Sequence, residues 1–265
     1  MQDSYNREIN YLRISVTDKC NLRCVYCMPE DGIDVRSHEE FLSFEDIVDV
    51  VRAGVEIGIK KIRLTGGEPL VKRGIVELVR MISAVSGVDH LGMTTNGVLL
   101  AEMAADLREA GLDSLNISLD TLDPRRYTEI TRIGEIGRVL AGIDAAIARK
   151  FPVKINMVVM NETPHEEIEA MRGFCREKGA KLQLINHFSL SDEKLNNYDF
   201  DRPPRCEECN RIRLLADGNF KPCLHSDFEI PLDKNDVTGT LIKTIAAKPE
   251  RGLVCENRSM FEIGG

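Results

Sequence analysis

Two hydrophobic periods alternate along the first two thirds of the chain. Short runs with every second residue apolar predict strands near 11–17, 61–65, 90–94, 114–119, 153–160 and 181–187. Longer stretches with apolar residues every three or four positions predict helices near 44–58, 75–86, 100–110, 136–149 and 165–178. Ser43 followed by Asp46, and Thr163 followed by Glu166, mark helix starts, where side chains satisfy free backbone N–H groups. Successive β–α units argue for an α/β fold with parallel strands covered by helices, as a barrel or an open sheet.

Alternation also sorts the faces of each strand. Leu12, Ile14 and Val16 oppose Arg13, Ser15 and Thr17; Ile62 and Leu64 oppose Arg63 and Thr65. Leu115, Ile117 and Leu119 oppose Asn116, Ser118 and Asp120. Val153, Ile155 and Met157 oppose Lys154 and Asn156, and Leu182 and Leu184 oppose Gln183. The apolar faces must meet the helices. A closed eight-stranded barrel fills its lumen with branched apolar residues, so a lumen of Arg, Lys, Asn, Ser and Asp predicts a polar ligand cavity in an incomplete barrel. The alternative is a sheet with one wet face. It is disfavoured because buried Arg and Lys are costly unless an anion pairs them.

The pattern stops after residue 188. The polar stretch 189–205, ending in Pro203–Pro204, reads as a linker. Residues 206–265 form a cysteine-containing module too small for a large core of its own, so the expected domains are 1–188, a linker, and 206–265. The 265 residues are 43% hydrophobic, enough for a sizeable core. A net charge of −8 predicts neither nucleic-acid nor membrane-surface binding. With a polar N-terminus and no membrane-length apolar run, the expectation is a soluble cytoplasmic protein.

Six of the eight cysteines fall in two tight sets, which points to metal or redox chemistry rather than disulfides. Cys20, Cys24 and Cys27 directly follow the first strand, where barrel sites are built. Three closely spaced thiolates suit a [4Fe–4S] cube with one open iron; zinc with a fourth ligand is the alternative. Gly66-Gly67-Glu68-Pro69 follows the second strand and permits close backbone approach to a ligand, although a plain turn reads the same way. Cys206, Cys209 and Cys223 suggest a second iron–sulfur cluster, with a zinc ribbon as the alternative. Arg211 and Arg213 follow on one face and suit bidentate phosphate binding, or are solvated surface groups.

The first set's spacing, with Tyr26 before the last cysteine, resembles the radical S-adenosylmethionine (SAM) superfamily. That resemblance implies an open iron that chelates SAM, reductive cleavage of SAM to a 5′-deoxyadenosyl radical, and SAM contacts at Tyr26, Gly67 and Ser118. LRISVTDKCNLRCVYCMPEDG, KKIRLTGGEPLVKR, MTTNG, LNISLDTLDP, VKINMVV, CEECNRIRLLADGNFKPCL and the terminal IGG resemble the GTP 3′,8-cyclase family of molybdenum cofactor biosynthesis over nearly the whole chain. The resemblance implies an incomplete (β/α)6 barrel, two [4Fe–4S] clusters, and an auxiliary cluster whose open iron binds guanine. It puts GTP contacts on Arg13, Arg63, Thr95, Lys154, Arg211 and Arg213, and an active-site tail on Gly264 and Gly265, for which an irrelevant frayed end is the alternative. The implied reaction takes hydrogen from C3′ of the ribose and joins that carbon to C8 of the base. A low-potential electron donor and the next pterin enzyme are the expected partners; homodimer formation is left open.

The chain departs from the family in three places. The stretch before Cys206 is much shorter. Gln183 stands where the family has a lumen arginine, and Phe188 where it has methionine. Cys255 lies outside the pattern and is read as a fourth ligand of the second cluster or an incidental thiol. A related radical SAM enzyme acting on another nucleotide or a peptide, and a non-catalytic metal-binding protein, therefore stay as alternative readings.

Overall fold

The alternating segments form the strands they predict. The structure is a computed structural model and describes residues 1–33, 41–195, 198–200 and 203–264. Strands β1 (Tyr11–Ser15), β2 (Lys61–Thr65), β3 (His90–Thr95), β4 (Ser114–Ser118), β5 (Val153–Val159) and β6 (Lys181–Asn186) pair in parallel, each with the next. Between them run α1 (Phe44–Glu56), α2 (Ile75–Ser83), α3 (Leu100–Glu109), α4 (Pro124–Thr131), α5 (Ile136–Ala148) and α6 (His165–Lys178). Ser43 and Asp46 form the expected reciprocal cap of α1. Thr163 does not cap α6: Pro164 holds the N-cap position in extended backbone, and the Thr163 hydroxyl accepts instead from the Met160 N–H at 3.0 Å.

The apolar strand faces supply the core. Leu12, Ile14, Ile62, Leu64, Leu115, Ile117, Ile155 and Met157 are fully buried. Each such side chain contributes about 1.5–3 kcal/mol on leaving water. Helix α1 packs Ile47, Val48, Val50 and Val51 into the same core. The opposite strand faces, freed from the helices, are left to line a cavity.

The residues after the polar stretch do not build a separate layer. Strand β7 (Arg211–Leu214) lies beside β1, parallel to it, and continues the same sheet. Strands β8 (Asn219–Lys221) and β9 (Ile230–Pro231) follow in antiparallel order, giving β6-β5-β4-β3-β2-β1-β7-β8-β9. Helix α7 (Val237–Ala246) packs on α1, and Lys234 pairs with Asp46 at 2.8 Å. The short helix α8 (Met260–Ile263) ends the described chain. The sheet stays open between β6 and β9. From the stretch between β6 and β7, Phe188, Lys194 and Pro204 become part of the cavity wall.

A candidate radical site with two adjoining cavities

The loop after β1 is held from two sides. The Arg23 and Val25 N–H groups donate to the Thr131 and Ile130 carbonyls at the end of α4, at 3.1 and 2.9 Å. Arg132, in left-handed backbone (φ 63°), donates to the Arg23 and Met28 carbonyls at 2.8 and 2.9 Å. On the other side, the turn after β2 donates from Gly67 and Glu68 to the Thr17 and Lys19 carbonyls, both at 2.8 Å. Cys20, Cys24 and Cys27 thereby face one cavity of about 190 Å³. Tyr26, Gly67 and Ser118 line it too, as does Thr95. Burial raises the Cys24 thiol far above its ordinary range and pushes Cys27 up to about 12. Thiolates there need a metal cation to exist. Among the described residues no three His, Cys, Asp or Glu side chains are gathered around a single ion position.

Two buried carboxyls brace this cavity. Tyr26 donates its hydroxyl to Asp120 at 2.7 Å, and the Val158 N–H donates to the same carboxyl at 2.8 Å. Glu68 accepts from the Thr95 hydroxyl, the Asn96 N–H and the Leu70 N–H at 2.7, 2.6 and 2.9 Å. Burial raises Glu68 to about 7, with those donors pulling it back. An acid raised on folding binds its proton more tightly in the native state, so its stabilising contribution is present at low pH and lost as pH rises. In the metal-free chain, stability is therefore expected to fall between about pH 4.5 and 7, by as much as about 3 kcal/mol from Glu68. Urea unfolding across that range checks it: Glu68→Gln should flatten the slope, and an unchanged slope would refute the assignment.

The polar strand faces line a second, larger cavity of about 580 Å³. Parallel pairing sets Arg213, Arg13 and Arg63 side by side on β7, β1 and β2, with Arg211, Tyr11 and Lys61 one rung earlier. Neighbouring strands lie about 4.8 Å apart, so the guanidinium groups crowd one another. Burial, then Arg213, depresses Arg13 well below its ordinary value; burial, then Arg211, lowers Arg213 to about 10. The Nε atoms of Arg211 and Arg213 are buried without a hydrogen-bond partner. Repulsion on this scale calls for a multiply charged anion. Lys154 completes the group and donates to Gln183 at 3.5 Å. Thr95 lines the smaller cavity, where its hydroxyl donates to Glu68 at 2.7 Å. Asn156, Ile185 and Phe188 line both cavities, so the two adjoin.

Arg63 owes its position to a glycine. Its Nε donates to the Tyr11 hydroxyl at 2.6 Å and its Nη1 to the Met93 carbonyl at 3.1 Å. A Cβ on Gly92 would come within 2.7 Å of Arg63 Nη2 and 3.0 Å of Ser114 Oγ. Gly92→Ala is expected to displace the guanidinium and weaken inorganic triphosphate binding about tenfold, roughly 1.4 kcal/mol. The unfolding midpoint should barely move, because a side-chain end can swing aside. Titration calorimetry with triphosphate reads this, and unaltered affinity would refute it.

Cys206, Cys209 and Cys223 line the far side of the larger cavity. Two buried lysines bear on them. Lys194 donates to Cys206 Sγ at 3.1 Å and to the Pro204 carbonyl at 2.8 Å. Lys248 donates to Cys209 Sγ at 3.4 Å and to the Arg211 and Pro222 carbonyls at 2.8 and 2.9 Å. Burial raises the Cys209 thiol, but Lys248 and Arg211 outweigh it and bring Cys209 down to about 7. The donor set fits an anionic thiolate-ligated cluster. Cys255 is not among them. It lies in a separate apolar cluster with Leu190, Leu215 and Ile263, and its thiol donates to Asn257 at 3.3 Å. This placement supports the incidental-thiol reading of Cys255. Cys255→Ser is expected to leave iron content and the spectrum of the second cluster unchanged, as iron assay and electron paramagnetic resonance would register; loss of iron would restore the ligand reading.

The C-terminal tail returns to the site. Arg258 anchors it to Asp217 and Glu229 at 2.7 and 2.6 Å. The Gly264 carbonyl accepts from Arg13 at 3.3 Å, and a Cβ on Gly264 would strike Thr65 within 2.5 Å. Gly265 lies outside the described residues. Sequence reasoning missed Lys194, Lys248 and His225, which carry no motif of their own. It also missed α4, for which Asp123–Pro124 is a readable start signal.

Comparison with known proteins agrees with this geometry. The model of the radical SAM superfamily matches residues 14–175. The GTP 3′,8-cyclase of Alkaliphilus oremlandii (strain OhILAs) is 38% identical, with 100% of each chain covered. That of Peptoclostridium acidaminophilum is 40% identical over 99% of this chain and 98% of its own. The first alignment runs over 320 positions, 55 more than the 265 residues here, so this chain is a shortened relative. Among solved structures, Streptococcus suis SuiB bound to S-adenosylmethionine shares the fold with a TM-score of 0.70 at 16% identity, covering 92% of this chain and 66% of that one.

Proposed function

This chain belongs to the radical SAM superfamily and, within it, to the GTP 3′,8-cyclase family, and on that premise we propose that it converts GTP to 3′,8-cyclo-7,8-dihydro-GTP for molybdenum cofactor biosynthesis. The observation that carries the reading is the rung Arg213–Arg13–Arg63 on the wall of the larger cavity, with Arg213 and Arg13 buried and the three charges repelling one another. A triphosphate would bring several negative charges to this wall. The cavity, at about 580 Å³, stays within the usual range for small-molecule sites despite the shortened connection.

When bound, SAM and its cluster supply a hydrogen-abstracting radical. Cys20, Cys24 and Cys27 would hold that cluster, and Tyr26, Gly67 and Ser118 would hold SAM. Arg13, Arg63, Lys154, Arg211 and Arg213 would fix the triphosphate, so that the ribose lies where Asn156, Ile185 and Phe188 join the cavities. Gln183 adds a hydrogen bond without charge. Cys206, Cys209 and Cys223 would carry a second [4Fe–4S] cluster beside the base. A low-potential reductant and a cytoplasmic location accompany the reading. Among the described residues no helix is long and apolar enough to cross a membrane.

Anaerobically reconstituted protein, SAM, a strong reductant and GTP test it, with mass spectrometry for 5′-deoxyadenosine and a cyclised GTP isomer. Both products, with the isomer dependent on GTP, are expected. Deoxyadenosine alone would mean another substrate.

A further inference from the structure

Three cysteines leave one corner of the second cluster without a protein ligand, and His225 is placed to fill it; this rests on the reading that Cys206, Cys209 and Cys223 carry a [4Fe–4S] cube. His225 follows Cys223 by two residues. The residue is 3% exposed, yet both ring nitrogens are buried without any hydrogen-bond partner. One nitrogen of a neutral imidazole is a donor and the other an acceptor, and each left unmade costs about 1–3 kcal/mol. The ring leans on Phe188, with centroids 5.3 Å apart, and lines the cavity that the three cysteines line. Gly252 faces both side chains: a Cβ there would come within 2.8 Å of Cys223 Sγ and 2.9 Å of His225 Cβ. The two side chains therefore leave the same patch of wall.

We propose that an imidazole nitrogen of His225 ligates the fourth iron of the second cluster in the substrate-free enzyme, and that the incoming purine base displaces it. The exchange breaks one iron–nitrogen bond and forms another, with no change of oxidation state. Histidine replaces cysteine in some iron–sulfur clusters and raises their potential. Bonded to iron, one ring nitrogen would cease to be an orphan. Phe188 beside the ring would limit the directions in which it can swing away.

The full chain carrying Cys20→Ser, Cys24→Ser and Cys27→Ser isolates the second cluster. Grown with nitrogen-15 histidine, reconstituted and reduced, it is expected to hold roughly four irons per chain and to show an isotope-sensitive nitrogen coupling in electron–nuclear double resonance. His225→Phe should remove that coupling, and GTP should replace it with an isotope-insensitive one. Should the triple variant not fold, the labelled unmodified chain gives the same readout, with His187→Gln excluding the histidine beside the first cysteine loop. Four irons without a histidine coupling would overturn the proposal and leave the cluster in place. No iron in a folded triple variant would overturn the cluster as well. A histidine coupling that persists with GTP bound would overturn the displacement.

Discussion

Gly67→Ala is expected to abolish iron binding at the first cysteine set and to lower stability by about 3–5 kcal/mol. A Cβ at this position would lie 2.4 Å from the Lys19 carbonyl oxygen, 2.5 Å from that of Asp18 and 2.7 Å from the Lys19 carbonyl carbon. All three are backbone atoms, so no side chain can swing aside. Relief must part the two segments, which breaks the Gly67 and Glu68 hydrogen bonds to Thr17 and Lys19. Cys20 follows Lys19 directly and moves with it. Glu68, whose carboxylate ties the turn to Thr95 and Asn96, resists movement in the other direction. Iron content after reconstitution and the urea midpoint decide the matter together. Full iron and an unmoved midpoint would show that the turn yields more easily than its contacts suggest.

Lys248→Met should have a comparable effect by a different route. Lys248 is 3% exposed, and its ammonium spends its three donors on Cys209 Sγ and the Arg211 and Pro222 carbonyls. Methionine has nearly the same shape and no donor. Two carbonyls and a thiolate would be left buried and unpaired, at about 3–5 kcal/mol for breaking a buried charge contact. On the proposal that Cys206, Cys209 and Cys223 hold a second cluster, the lost positive charge also leaves its reduced form less stabilised. Its potential should fall on the order of 50–100 mV, equivalent to one to two tenfold changes in a one-electron equilibrium. A redox titration followed by electron paramagnetic resonance reads the shift, and denaturant unfolding reads the stability. A potential equal to that of the unsubstituted protein would show that Lys248 is structural only. Lys194→Met, at Cys206, should lower the potential in the same sense.

The strands, their helices and the division between apolar and polar faces were legible because each depends on residues two to four positions apart. Arg13, Arg63 and Lys154 could be assigned to the cavity from alternation alone, and they line it. The cysteine spacings grouped six thiols into two sets for the same local reason. Helix α4 escaped because it is short, polar and without a long apolar stripe, yet its C-terminus holds the first cysteine loop. Cys255 could not be placed from the sequence, since thirty-odd residues of loop and helix separate it from Cys223 and either side of the cavity was within reach.

By itself the sequence determined the α/β order, the faces of each strand and the residue types gathered at the strand ends. Only the tertiary structure decided that β7 lies against β1 in the register that aligns Arg213 with Arg13 and Arg63. It also decided that Lys194, Lys248 and His225 surround the second cysteine set. The physical reason is distance along the chain. Periodicity reports what a residue shares with its near neighbours, whereas the charge crowding that calls for a polyanion arises between strands brought together by the fold.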